Sequence, residues 1–299
     1  INNDKPNTDT NTSLNFNINE NLMSENNTSS NLHLDFNLTG ESNYLNKSVS
    51  ELVTDAKLSY KTGIDSFTYG LYNWSTQKED KYTYEANSLK IGEADLETSK
   101  FPYVNIDSTY GREINNEVAE LIKEYFDLYV DSIKLIRDTE SIQDMNEKKQ
   151  ARWNLNDERI ANNIVKYNAY KNDNILSIVI VEGPITNIGY KYKTFNIDLN
   201  TGKRVNLEEA YKKLGYTQSE LEEDLLKEVS ELVKERCEAN DILDKHEGLM
   251  SYNEKRVVST IENDNASYFI DENKNLNIVV MTNQPWGKDN HDILYTVKK

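Results

Sequence analysis

The sequence predicts an α+β fold with a mainly antiparallel sheet and helices packed on one face of it. A long segment, 113–137, has apolar residues at every third or fourth position, which is the period of an amphipathic helix. Several short segments alternate apolar and polar residues, which is the period of half-buried strands. These elements follow the order helix, hairpin, strand, helices, hairpin, an order typical of the α+β class.

The N-terminal segment, residues 1–31, is rich in Asn, Thr, Ser and Asp and has few apolar residues. Such a segment buries too little apolar surface to offset the entropy lost on ordering, so we predict a flexible tether. A disordered tail without function would have the same composition. The chain begins with Ile1 instead of Met, so we expect a signal peptide or membrane anchor to precede it. After the tether, residues 32–38 alternate as a half-buried strand does.

The next elements are predicted from aromatic and apolar spacing. Aromatic residues lie among Gly and polar residues between Tyr60 and Tyr84, which favours short antiparallel strands. Two interpretations of these aromatic residues stay open, a platform for sugar binding and the core of the sheet. Pro102 breaks the chain before the helix at 113–137, and a less apolar helical stretch follows at about 141–152.

Two strands at 164–170 and 175–181 are predicted to form a hairpin, with Pro184 ending the second of them. A loop at 183–189 then leads to a strand at 190–197 that ends in an Asn-Thr-Gly turn.

The C-terminal third is predicted to contain two helices followed by strands. Asn206 caps a short helix, and a capping box at 217–220 opens a longer one that reaches about residue 238. The strands are predicted at 268–270, 276–281 and 293–297. A chain of 299 residues buries one large core or two modest ones. We predict two α+β subdomains, 32–185 and 186–299.

Composition limits the classes of partner and chemistry. The formal net charge of −17 argues against nucleic acid or an anionic membrane surface as partner and favours a basic partner, although solubility alone also explains the acidity. Cys237 is the one cysteine, which excludes an internal disulfide. His33, His246 and His291 each lack a partner at ligand spacing. We therefore predict no metal, no cofactor and no catalytic residues.

Three segments resemble a family of extracytoplasmic domains from Gram-positive bacteria. Residues 190–210 form an aromatic strand, an Asn-Ile-Asp-Leu-Asn-Thr-Gly-Lys turn, a leucine and a helix start. Residues 101–117 are similar to the beginning of the preceding partner domain in that family, and residues 268–276 to the closing hairpin. The resemblance covers about residues 80–299. This family forms the ectodomain of lysozyme-sensing anti-sigma factors and the non-catalytic part of some peptidoglycan deacetylases.

The resemblance implies a binding module at the cell wall, outside the cytoplasm and either anchored or secreted. The chain departs from the family pattern in the loop at 182–189, which lacks the His of the usual Gly-Gly-Ala-His segment. We expect a sensor or receptor ectodomain that recognises a basic, lysozyme-like protein. The alternatives are a peptidoglycan-binding or glycan-binding accessory module and a wall-active hydrolase.

Four residues are predicted to bind the ligand. Asn187 lies in the loop between two strands, and Tyr190 and Tyr192 share one face of the following strand by the two-residue period. Trp286 lies in a turn-like segment after an apolar strand, and aromatic residues concentrate binding energy at interfaces. The alternative is that the three aromatic residues only pack within the sheet.

Overall fold

The architecture was obtained as a computed structural model. It describes residues 10–18, 30–38, 44–61, 67–73, 76–84, 90–91, 94–95, 99–157, 164–185, 189–239, 246–263, 266–283 and 290–297. Helices and strands are mixed, and every strand pair among these residues is antiparallel. The predicted α+β class is confirmed, with the strands arranged in several small sheets.

The first strand, β1 (Thr10–Ile18), pairs with β2 (Ser30–Leu38). β1 lies inside the segment that the sequence analysis predicted to have no secondary structure. Leu14, Phe16 and Ile18 alternate with polar residues, which is a strand period, although the average polarity of the segment is high. Residues 30–31 of the predicted tether belong to β2, and residues 1–9 and 19–29 lie outside the described residues.

In the described part of the chain, one short α-helix and seven short strands lie between β2 and the longest helix. Helix α1 (Val49–Leu52) runs directly into β3 (Val53–Asp55), and β4 (Lys57–Lys61) joins β2 as the third strand of the first sheet. A hairpin of β5 (Phe67–Asn73) and β6 (Lys78–Tyr84) confirms the short antiparallel strands predicted from the aromatic residues. Two-residue strands follow, β7 (Lys90–Ile91) and β8 (Ala94–Asp95). Strand β9 (Pro102–Val104) pairs with β3.

The longest element is helix α2 (Thr109–Ser141), which confirms the helix predicted from the apolar period. Its N-cap is Ser108, whose hydroxyl accepts a hydrogen bond from the Gly111 N–H at 3.0 Å. One face is buried in the core. The buried apolar residues of that face are Ile114, Val118, Ala119, Ile122, Tyr125, Phe126, Tyr129, Val130, Ile133 and Ile136. Helix α3 (Met145–Asp157) follows, and Arg152 in it donates two hydrogen bonds of 2.7 Å to the Glu140 carboxylate at the end of α2.

A four-stranded sheet lies under α2, in the order β10 (Ile164–Asn172), β11 (Ile175–Ile185), β12 (Gly189–Asp198) and β13 (Lys203–Arg204). The prediction that Pro184 ends the second strand is wrong, because β11 continues to Ile185. Among the described residues β10 pairs with β11 only as far as Gly183, so no described residue of β10 lies opposite Pro184, which lacks an N–H.

The C-terminal part contains α4 (Leu207–Lys213), α5 (Gln218–Ala239) and α6 (His246–Ile261), then a sheet of β14 (Tyr268–Ile270), β15 (Leu276–Asn283) and β16 (Asn290–Val297). The sequence analysis predicted no helix at α6. Gly248 and Asn253 interrupt its apolar pattern and have low helix propensity. Asn253 is nevertheless fully buried, on the same face as Val257 and Ile261.

Two clusters of buried side chains form the interior. The first is built on α2, β9 and the sheet β10–β11–β12, and the second on α4, α5, α6 and the sheet β14–β15–β16. β11 contributes to both, with Leu176 and Ile178 in the first cluster and Ile175 in the second. The predicted division after residue 185 falls inside the hairpin of β11 and β12, which pair across it from Ile175 to Ile185. The organisation into two subdomains stays a prediction.

Strand β14 connects the two clusters, and its two edges have different kinds of hydrogen-bond partner. One edge pairs with the backbone of β15, and the other faces side chains of β12. The Tyr268 N–H donates to the Thr194 hydroxyl at 2.9 Å, and the Asn196 amide donates to the Tyr268 carbonyl at 2.7 Å. Side chains therefore satisfy backbone groups that a neighbouring strand would otherwise bond.

The same pattern continues at the next outward-facing residue of β14. The Ile270 N–H donates to the Ser177 hydroxyl at 3.1 Å, and the Asn172 amide donates to the Ile270 carbonyl at 3.2 Å. The Ser177 hydroxyl in turn donates to the Asn196 Oδ1 at 2.6 Å. We call the side chains of Asn172, Ser177, Thr194 and Asn196 the polar seam.

Candidate functional site

Strand β12 brings two of the predicted binding residues together. The ring centroids of Tyr190 and Tyr192 are 6.5 Å apart, with the ring planes inclined at 50°. Tyr190 is 48% exposed, and Tyr192 is partly buried. Because the rings are inclined, the pair offers an angled apolar surface to a sugar ring or to a side chain of another protein. The other two predicted residues, Asn187 and Trp286, lie outside the described part of the chain.

A β-bulge lies beside this tyrosine pair. The register between β11 and β12 shifts between Glu182 and Ile185, and Gly183 has a positive φ of 150°. Tyr192 lies opposite Val181, one residue pair away from the bulge. Bulges redirect neighbouring side chains and are common beside functional sites. Much of the loop predicted at 183–189 is therefore strand, and only its tip, 186–188, lies outside the described residues.

An open groove of about 680 Å³ lies between the first turn of α2 and the strands β12 and β13. Its wall carries cations from β12 and β13, acids from α2, and hydroxyl groups. The charged lining residues are Glu113, Glu117, Lys193, Lys203 and Arg204, and the hydroxyl-bearing ones are Ser108, Thr109, Tyr110, Thr194, Thr201 and Ser267. Lys193 and Glu117 form an ion pair of 2.9 Å across it. This lining suits a polar ligand that both donates and accepts hydrogen bonds.

The turn beside this groove is held tightly against α2. Gly202 has a φ of 64°, and a Cβ placed on it would lie 2.6 Å from the Ser108 Cβ. The turn therefore rests on the N-cap of the helix, which fixes the position of Lys203 and Arg204 at the rim. Burial raises the pKa of Tyr110 in the groove to about 12, although Arg204 nearby lowers it, so this phenol stays protonated at neutral pH.

A second surface is the exposed side of α5, which carries carboxylates along its length. We call it the acidic face, and its exposed acids are Glu220, Glu223, Asp224, Glu228, Glu231, Glu235 and Glu238. The stretch 217–240, which includes α5, has eight acidic and three basic residues, a net charge of −5, and a charge run of this kind on a helix is usually a solvated face.

Two partly buried tyrosines border the acidic face. Burial, with the carboxylates of Asp224 and Glu228 adding to the effect, raises the pKa of Tyr295 in β16 to about 12. Burial also raises the pKa of Tyr216, with Asp224 and Glu220 adding to the effect. The three segments that meet here are α5, β16 and the connection before α5. Sequence reasoning missed this combination because only the fold brings them together.

The described residues contain no group of three or more His, Cys, Asp or Glu side chains placed to hold a metal ion. Within the same ranges, no helix is long and apolar enough to cross a membrane. No protein-family model, curated protein or solved structure matches the chain.

Proposed function

We propose that this chain is a non-catalytic binding or sensor domain of the bacterial cell envelope that recognises a basic, lysozyme-like protein. The observation that carries the proposal is the acidic face of α5 with Tyr216 and Tyr295 at its border. The resemblance of residues 80–299 to ectodomains that sense lysozyme supports the choice of partner and the location at the envelope.

The acidic face has the two properties that recognition of a basic protein needs. A row of carboxylates attracts a cationic partner over about 10 Å at moderate ionic strength and accelerates encounter. Tyrosines supply rigid contact area, and an Arg or Lys of the partner can lie over a ring while it pairs with an adjacent carboxylate. Asp224 lies close enough to Tyr216 and Tyr295 to raise the pKa of both.

Calorimetric titration with lysozyme tests this proposal. The triple variant Glu223→Lys, Asp224→Lys, Glu228→Lys reverses the charge of the acidic face, and we expect lysozyme affinity to fall at least about tenfold. The affinity of the unaltered protein should also fall as salt is raised.

The matched control makes the same change in net charge on another helix. Its substitutions are Glu120→Lys, Glu124→Lys and Asp131→Lys, all at exposed positions of α2. We expect this control to lose only about twofold to threefold in affinity, from the change in net charge. Equal losses in the two variants would show that net charge, and not this surface, governs binding. Absence of lysozyme binding by the unaltered protein would refute the proposed partner.

A second candidate function is a wall-glycan-binding module, favoured by the exposed Tyr190 beside Tyr192. On this hypothesis Tyr190→Ala weakens binding of soluble muropeptides by about 2 kcal/mol and leaves the fold intact. Trp153→Ala is the control, because Trp153 is a comparably exposed aromatic (43%) on α3. Trp286→Ala provides an independent test of the same hypothesis. Unchanged muropeptide affinity in both binding variants would leave sheet packing as the role of these residues.

A further inference from the structure

Strand β10 is the outer strand of the four-stranded sheet, and one of its edges faces away from β11. In an antiparallel pair, alternate residues direct their N–H and C=O groups away from the neighbour. Val165 is such a residue, because its N–H donates to the Ser99 hydroxyl at 3.1 Å and its carbonyl accepts from the Lys100 N–H at 2.8 Å. By the same alternation, Tyr167 and Ala169 direct their backbone groups outward.

Tyr167, Asn168 and Ala169 line a groove of about 530 Å³ on this side of β10. The chain passes Val165 at Ser99 and Lys100 and then leaves this edge to form β9, so no described segment pairs with the edge beyond Val165. No hydrogen bond to the outward N–H or C=O of Tyr167 or Ala169 comes from any residue in the described ranges. The opposite wall is formed by α1 and β3 and includes Val49 and Val53.

Both ends of the groove are fixed by hydrogen bonds. At one end, Asp55 accepts from the Tyr167 hydroxyl at 2.8 Å and from the Lys100 ammonium at 3.0 Å. At the other end, the Lys171 ammonium donates to the carbonyls of Leu45 and Lys47, each at 2.6 Å. These contacts hold the α1–β3 wall at a set distance from β10. A preformed groove binds a ligand with less loss of conformational entropy.

We propose that this edge groove binds an extended peptide segment of a partner protein as an additional strand beside β10. Outward N–H and C=O groups repeated at every second residue match the hydrogen-bonding pattern of an extended backbone. A second copy of this chain fits poorly, because the α1–β3 wall recesses the edge and two recessed edges cannot approach each other. The side chains that face Val49 and Val53 should be small and apolar.

Selection from a displayed library of random 12-residue peptides tests the proposal, with counter-selection on the variant Ala169→Pro. Proline at this position removes an N–H that points to the groove, whereas the ladder with β11 uses the neighbouring residues Asn168 and Tyr170. The variant should therefore keep the fold. We expect the selected peptides to bind the unaltered protein at least about tenfold more tightly than the variant.

A second measurement uses the unaltered protein and so does not depend on the folding of the variant. A saturating selected peptide should slow amide hydrogen exchange at Tyr167 and Ala169 by about tenfold or more, with little change at Asn168. N-methylation of alternate peptide residues along the edge that faces β10 should abolish binding, and methylation along the other edge should not. Failure to enrich any peptide, equal binding by Ala169→Pro, or unchanged exchange at both amides would overturn the proposal.

Discussion

Asn196→Ala tests whether the polar seam stabilises the whole fold. Asn196 is 4% exposed, accepts a hydrogen bond from Ser177 and donates one to the Tyr268 carbonyl. The substitution removes both bonds, each with a net value of about 1 kcal/mol, and leaves a buried carbonyl unpaired at a further cost of about 1 to 2 kcal/mol. We expect the free energy of unfolding to fall by about 3 to 4 kcal/mol in total.

Urea denaturation at neutral pH, followed by tyrosine and tryptophan fluorescence, measures this loss as a shift of the midpoint. The control Asn168→Ala removes the same side chain from an exposed position on β10 and should change stability by less than about 0.5 kcal/mol. A loss of under about 1 kcal/mol for Asn196→Ala would refute the reasoning, because it would mean that the Tyr268 carbonyl is satisfied without the seam.

Two further predictions concern an ion pair and a phenol. A Cβ on Gly70 would lie 1.9 Å from the Glu79 Oε1, and the same oxygen accepts a hydrogen bond from Arg152 at 2.6 Å. Gly70→Ala should therefore displace the Glu79 carboxylate, break its ion pair with Arg152 and lower the melting temperature. Glu79→Gln should lower it too, and the double variant should show less than the sum of the two losses. The pKa of Tyr110 is raised to about 12 in the folded state against about 10 when unfolded, so its contribution to stability is present below pH 10 and is lost as the pH rises to 12. Urea midpoints between pH 8 and pH 11 should therefore decline less steeply in Tyr110→Phe, and identical slopes would contradict this assignment.

The elements that follow from one strong local pattern could be predicted from the sequence. Helix α2 has a sustained apolar stripe, and β11 has a continuous apolar run. β1 and α6 were missed because their patterns are diluted, β1 by surrounding Asn and Thr and α6 by Gly248 and Asn253. A polar residue such as Asn253 is compatible with a buried helix face only in a particular tertiary context, which local propensity does not describe.

The candidate surfaces also differ in how far the sequence could predict them. The Tyr190 and Tyr192 pair follows from the two-residue period of one strand, so the sequence could predict it. The acidic face was visible as charge, but its neighbour Tyr295 lies in β16, far along the chain. The groove beside β10 depends on sheet order, since only an outer strand has a free edge. Sheet order and the packing of distant segments are properties of the whole chain, and periodicity reports neither.

The polar seam contacts the backbone of β14 and so does not depend on the identity of the side chains that β14 carries. Every amino acid except proline offers the same N–H and C=O groups, so the hydrogen bonds at Tyr268 and Ile270 impose no other restriction on those two positions. The restriction falls instead on the seam side chains, which must supply the matching donors and acceptors. In a library of all single substitutions, the seam residues of β11 and β12 should therefore tolerate fewer replacements than packing alone requires. The sequences of β14 and of the strands that carry the seam would then change at unequal rates during evolution, although the two segments are in contact.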